Sequence, residues 1–280
     1  MTGSGGPSDR VERGLERPSL AEHFSKLSSE QRRLLVPYVT GGLGDWVRAL
    51  EAAAAAGGDA VEVGIPFSDP VMDGPTIQEA SRQALEAGTT PVEVIEGIAE
   101  ADVAKPILVM TYYNIVFRWG HERFASACRE AGVAGVIVPD LPLEEVGPWA
   151  SVARSHGLAC VLLAAPTADD ERLRRICDTS AGFVYAVSLL GVTGERESLA
   201  SSAMDIAVRL KRLTRLPVLV GVGVSTPEHA HQLTRVADGV VVGSAIVRRI
   251  LDGDGVDGVR SVVASFRRAL DDGGANPRGR

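Results

Sequence analysis

Lysine is almost missing from this 280-residue chain; apart from Lys26, Lys105 and Lys211, the basic residues are arginines. Carbonyl chemistry through a lysine imine needs that amine at a strand end facing the substrate. None stands there, because Lys26 and Lys211 fall in helical stretches and Lys105 precedes a strand. Cysteine is scarce too. Cys128, Cys160 and Cys177 are far apart and unpaired in spacing, which predicts free, packed thiols in a reducing, cytoplasmic compartment. No apolar run approaches the roughly 18 residues of a membrane span. The formal charge of -7 lacks the basic excess that phosphate backbones demand, so a nucleic-acid partner is not expected. The five histidines fall on predicted helices or their ends, and His229 and His231, two apart, would point differently on a helix. They read as surface or packing residues, so no metal is expected. A dinucleotide-binding glycine fingerprint after the first strand is also lacking.

What is present is alternation. Short β-branched runs recur between amphipathic Ala/Leu/Arg/Glu stretches. The predicted strands are Leu34–Thr40, Ala60–Gly64, Pro106–Thr111, Gly135–Val138, Ala159–Ala164, Gly182–Ser188, Pro217–Gly221 and Gly239–Val242. Their continuous apolar character suits parallel strands covered by helices. Eight β-helix units in this length predict a (β/α)8 barrel, with an open doubly wound sheet as the alternative. A helix near Leu20–Glu30 would precede the first strand and plug the barrel's bottom. Residues 1–18, rich in Gly, Ser, Pro, Arg and Glu without an apolar signal core, read as a disordered tail. Residues 19–270 read as one barrel domain and 271–280 as a flexible end.

In such a barrel, chemistry gathers at the carboxyl ends of strands. Glu62 lies inside the apolar run Val61–Gly64, where a carboxylate is costly unless paired or functional. Burial would raise its pKa toward that of a proton shuttle, while an interior ion pair is the competing reading. Asp73 follows in a Pro/Gly-bracketed loop. Thr76, with Glu79 three residues on, can cap the next helix and so leaves Asp73 free for chemistry. Two small-residue turns, Gly221–Pro227 and Val242–Ala245, follow adjacent strands seven and eight. Backbone N–H groups at helix starts there would suit a phosphate. The loop Leu189–Glu197, with Gly191, Thr193 and Gly194, reads as a lid over it.

Several segments carry a resemblance. Val36–Thr40, Glu62–Pro70 running into Asp73–Gln78, Met110–Asn114, Val138–Pro142, Ser188–Gly194 and Gly239–Ser244 occur in the order found in the tryptophan synthase alpha chain family, which the sequence resembles over about residues 20–270. The resemblance implies retro-aldol cleavage of indole-3-glycerol phosphate to indole and glyceraldehyde 3-phosphate, with Glu62 and Asp73 catalytic. It implies phosphate contacts from Gly194, Gly223, Gly243 and Ser244. It places Tyr38, Ile77, Tyr112 and Tyr185 around the indole ring, and Thr193 beside Asp73 when the lid shuts. It implies a heterotetramer with a beta subunit, reached through Asp69, Asn114 and Pro142; the PLP of the complex belongs to that partner, so no cofactor is expected here. A free-standing indole-3-glycerol phosphate lyase is the alternative function. The turn after Thr40, Gly41-Gly42-Leu43-Gly44-Asp45, departs from the family's usual Gly-Asp-Pro turn, and Val222 stands where a larger aromatic is common.

Overall fold

A computed structural model describes residues 17–188, 196–221 and 223–272. Nine strands appear: β1 Leu34–Thr40, β2 Val61–Gly64, β3 Ile107–Met110, β4 Val133–Ile137, β5 Ala159–Val161, β6 Leu163–Ala164, β7 Val184–Ala186, β8 Val218–Val220 and β9 Gly239–Val242. The helices are α1 Leu20–Ser29, α2 Trp46–Ala55, α3 Pro75–Glu86, α4 Pro91–Glu100, α5 Tyr113–Trp119, α6 His121–Glu130, α7 Val146–Ser155, α8 Asp170–Thr179, α9 Arg196–Leu213, α10 Pro227–Leu233, α11 Ser244–Leu251 and α12 Gly255–Asp272.

All pairings are parallel, in the order β5-β4-β3-β2-β1-β9-β8-β7-β6. The two ends of that order are consecutive in the chain, joined by Leu162 alone. β5 bonds toward β4, and β6 bonds toward β7. The predicted fifth strand is thus one segment that closes the ring, and the architecture is the expected (β/α)8 barrel rather than an open sheet.

Alternation sorts the strand side chains into two cores. Outward residues such as Val39, Val61, Val63, Val109 and Val136 pack against the surrounding helices. Inward residues, among them Leu34, Val36, Leu108, Phe183 and Leu219, form a second cluster that includes Leu20 and Phe24 of α1. The Phe24 and Phe183 rings lie 5.9 Å apart. α1 therefore seats its apolar face in the bottom of the barrel, and burying Phe24 alone contributes about 1.5–3 kcal/mol. Ser19 caps it by accepting from the Glu22 N–H at 3.3 Å.

A polar clasp fastens the same end. Asp59, 1% exposed, accepts from the Leu35 N–H at 2.9 Å, from Arg32 at 2.6 Å and from Arg267 at 3.0 Å. Arg17, expected in the tail, donates to the carbonyls of Ile98, Ala101, Val103 and Ala131, so it closes the ends of α4 and α6. At the other terminus α12 runs through Asp272, two residues past the predicted boundary. Among the described residues no helix is long and apolar enough to cross a membrane.

Candidate active site

Glu62 faces the barrel's interior, the next inner-face position of its strand after Ala60. Its neighbours Val61 and Val63 face outward, and Ala60 belongs to the inner cluster. The carboxyl is fully buried, and neither oxygen has a hydrogen-bond partner among the described residues. Among the described residues the ion pair that the sequence left open is not formed. Burial first, and the charge of Asp73 second, push the Glu62 pKa up to about 8.

Asp73 approaches from the loop between β2 and α3. Its N–H bonds the Pro70 carbonyl at 3.2 Å, and Gln78 donates to its carbonyl at 2.8 Å. α3 begins with Pro75 at its first position and Gly74 as N-cap. Thr76 is therefore not the cap. It lies one residue inside the helix, and its hydroxyl accepts from Arg248 of α11 at 2.7 Å. Asp73 is still free of capping, because the rigid proline starts the helix without a side-chain acceptor.

The carboxylate of Asp73 does have one partner. Tyr112, just after β3, donates its phenolic hydrogen to Oδ2 at 3.0 Å and accepts from the Met72 N–H at 3.0 Å. The Phe67 ring stacks on Tyr112 with centroids 4.9 Å apart. Burial raises the Asp73 pKa, and the Tyr112 hydrogen bond partly opposes that rise. Phe67 and Met72 were not singled out from sequence; their contacts with Tyr112 cross about 40 residues, and no local pattern reports them.

Tyr38 is the β1 register partner of Glu62, and Ile77 joins Tyr38, Leu43, Ala80 and Val247 in a small buried cluster. The departing turn after Thr40, with Gly42 and Gly44 at positive φ, delivers Leu43 to that cluster. Tyr185 lies on the inner face, 6% exposed. Both phenols have raised pKa values, from burial and then from the neighbouring acids: Asp73 first for Tyr38, Glu62 first for Tyr185. Each needs a glycine beside it. A Cβ on Gly64 would overlap the Tyr38 hydroxyl, and one on Gly221 would overlap the Tyr185 ring.

Gly223 has φ +84, with open space where a Cβ would stand. Gly243 is the N-cap of α11 with no side chain bonded there, and Ser244 is its first residue. The start of α11 thus presents N–H groups that the helix's own bonding leaves over, beside Tyr38, whose ring lies 3.6 Å from a Cβ built on Gly243. Thr193, Gly194 and Val222 lie outside the described residues. Asp69 and Pro142 are exposed on the loops after β2 and β4, and Asn114 is exposed in α5, the short helix that follows β3. The loop after β2 and helix α5 also carry Val71 and Phe117, 77% and 66% exposed, which sequence reading passed over. A cavity of about 360 Å³ opens beside Met72, walled by Pro139, Leu163 and Val187 and reaching Arg172 and Ile176 of α8. Among the described residues no three His, Cys, Asp or Glu side chains group as metal ligands would.

A parallel barrel with two coupled carboxyl groups at the carboxyl ends of its strands defines a (β/α)8-barrel enzyme. The family model described as tryptophan synthase alpha chain matches residues 24–270. The tryptophan synthase alpha chain of Streptomyces coelicolor is 44% identical over 264 residues, 90% of this chain and 96% of that one. Tryptophan synthase from Mycobacterium tuberculosis superposes with a TM-score of 0.83 at 35% identity, covering 91% of this chain and 99% of that chain. Subunit alpha from Legionella pneumophila gives 0.82 at 31% identity, covering 90% and 98%. The chain belongs to the tryptophan synthase alpha chain family.

Proposed function

We propose that Glu62 and Asp73 divide the proton transfers of the family reaction between them. The protein is a carbon–carbon lyase of tryptophan biosynthesis that cleaves indole-3-glycerol phosphate to indole and glyceraldehyde 3-phosphate. The observation that carries the assignment is the fully buried carboxyl of Glu62, without a hydrogen-bond partner among the described residues, beside the charge of Asp73. With its pKa pushed up to about 8, Glu62 holds its proton at neutral pH, and in this reading Asp73 serves as the carboxylate of the pair. Glu62 then delivers a proton to indole C3. As a carboxylate it next takes the proton of the chain hydroxyl at the carbon being cut, so the C–C bond breaks into an aldehyde and free indole. Asp73 accepts the indole N–H and offsets the positive charge that C3 protonation places on the ring. Tyr112 holds the carboxylate in that line.

Tyr38, Ile77, Tyr112 and Tyr185 form the walls for the flat ring in this reading. The phosphate binds the N–H groups at Gly223, Gly243 and Ser244, with Gly194 closing over it and Thr193 meeting Asp73. Chain N–H groups at the start of a helix suit a dianion. No cofactor or metal enters the scheme on this chain.

The partner in this reading is a tryptophan synthase beta subunit, in an α2β2 assembly in the cytoplasm. Asp69, Asn114 and Pro142 face it, and the exposed Val71 and Phe117 beside them are apolar surface a partner would cover. Steady-state indole release by the purified protein, with and without a beta chain, tests both parts. Release that rises on adding the beta chain supports the subunit role. Full activity alone and no rise would favour a free-standing lyase.

A further inference from the structure

Thr40 ends β1 with a hydroxyl that is 0% exposed and has no hydrogen-bond partner among the described residues. A buried hydroxyl without a partner costs free energy, so its retention at the mouth of a barrel calls for an occupant that pairs with it. Strand alternation settles its direction. Val39 faces the helices, so Tyr38 and Thr40 both face inward. In register they stand beside Glu62 and Gly64. Gly64 has no side chain, and the Tyr38 hydroxyl occupies the space a Cβ would take. The Thr40 oxygen is near enough to that phenol to ease its raised pKa, yet the two do not reach hydrogen-bond geometry. The root of the Tyr38 side chain stands beside Gly243 at the head of α11, and the ring carries the hydroxyl away from there toward Gly64 of β2. The Tyr38 side chain therefore spans from the helix start read as the phosphate anchor to the strand that carries Glu62, with Thr40 in register with Gly64 at the hydroxyl end.

We propose that the Tyr38 and Thr40 hydroxyls act as a pair that binds the second chain hydroxyl of the substrate, the one between the phosphate and the carbon whose bond is cut. The proposal rests on the reading of the site given above. It adds a polar contact to Tyr38, which is otherwise only a ring wall, and assigns Thr40 a role. Its chemistry is hydrogen bonding alone: Thr40 donates to Tyr38 or to the ligand, and the other hydroxyl completes the contact. A phosphorylated indole carrying a plain three-carbon chain would fit the same walls and anchor but leave the pair unmatched.

The test compares Tyr38→Phe and Thr40→Val, both close in shape to the parent. Two quantities are measured: kcat/KM for indole-3-glycerol phosphate, and the dissociation constant of the indole propyl phosphate that lacks both hydroxyls. Each variant is expected to lose about tenfold in kcat/KM and to bind the deoxy ligand within about twofold of the parent. The double variant is expected to lose little more than either single one, since a pair that works together fails together. Unchanged kcat/KM, or equal losses for both ligands, would overturn the proposal. A parent protein that binds the deoxy ligand but releases no indole would count against the reaction itself and not against the pair.

Discussion

The Tyr112 hydroxyl is shared between the Met72 N–H, which it accepts, and Oδ2 of Asp73, to which it donates, each at 3.0 Å. One phenol thus fixes both the loop and the carboxylate that the loop carries. Tyr112→Phe removes a donor that favours the ionised form, so the Asp73 pKa rises further. The acidic limb of the kcat/KM–pH profile is expected to move to higher pH, with about a tenfold loss at neutral pH. A loss with no shift of that limb would mean the phenol only shapes the pocket.

Glu62 also makes stability depend on pH. Its folded-state pKa, about 8, lies above its ordinary value of 4.5. The folded chain therefore holds a proton that the unfolded chain releases. The stability this contributes is complete below about pH 4.5 and is lost as pH rises through about 8. Glu62→Gln has no such charge to bury. Its advantage in unfolding midpoint over the parent is expected to grow from pH 5 to pH 9, amounting to a few kcal/mol. Urea or thermal unfolding across that range reads it directly.

Gly221 gives Tyr185 its place. A methyl there would overlap the ring, so Gly221→Ala must push Tyr185 off its position. A stability loss of about 1–3 kcal/mol is expected, together with a drop in kcat/KM. Adding Tyr185→Leu should recover part of the stability but not the activity, as calorimetry and indole release will show.

At the opposite end, Asp59 joins α12 to β1 through Arg267, with side chains 2% and 8% exposed. Asp59→Ala leaves buried Arg267 without that partner, and a loss of about 3–5 kcal/mol is expected. Because the clasp lies at the barrel's bottom, kcat per folded molecule should stay at the parent value. A stable variant would show that Arg267 is satisfied by the Arg33 carbonyl and Asp271 alone.

How much of this was legible in the sequence differs residue by residue. The barrel was, because continuous β-branched runs and amphipathic stretches report burial on both faces of each strand. Glu62 stood out for the same reason, as a charge in an apolar run. The closure at Leu162 was not legible: β5 and β6 are one stretch of sequence, and only pairing with two different neighbours divides it. α5 had no counterpart among the sequence expectations; its helix is held by tertiary contacts, including the Tyr113 N–H bonded to Asp140 at 2.8 Å. Thr76 was read as a cap from a pattern that Pro75 pre-empted. Arg17 looked like tail because its partners are carbonyls some 80 to 115 residues away.

The most direct test of the central claim is indole release from indole-3-glycerol phosphate by Glu62→Gln and Asp73→Asn beside the parent, with folding checked by circular dichroism. Two barrels that remain folded and release indole orders of magnitude more slowly are the predicted result. Turnover near the parent rate in either folded variant would contradict the assignment of proton transfer to this pair.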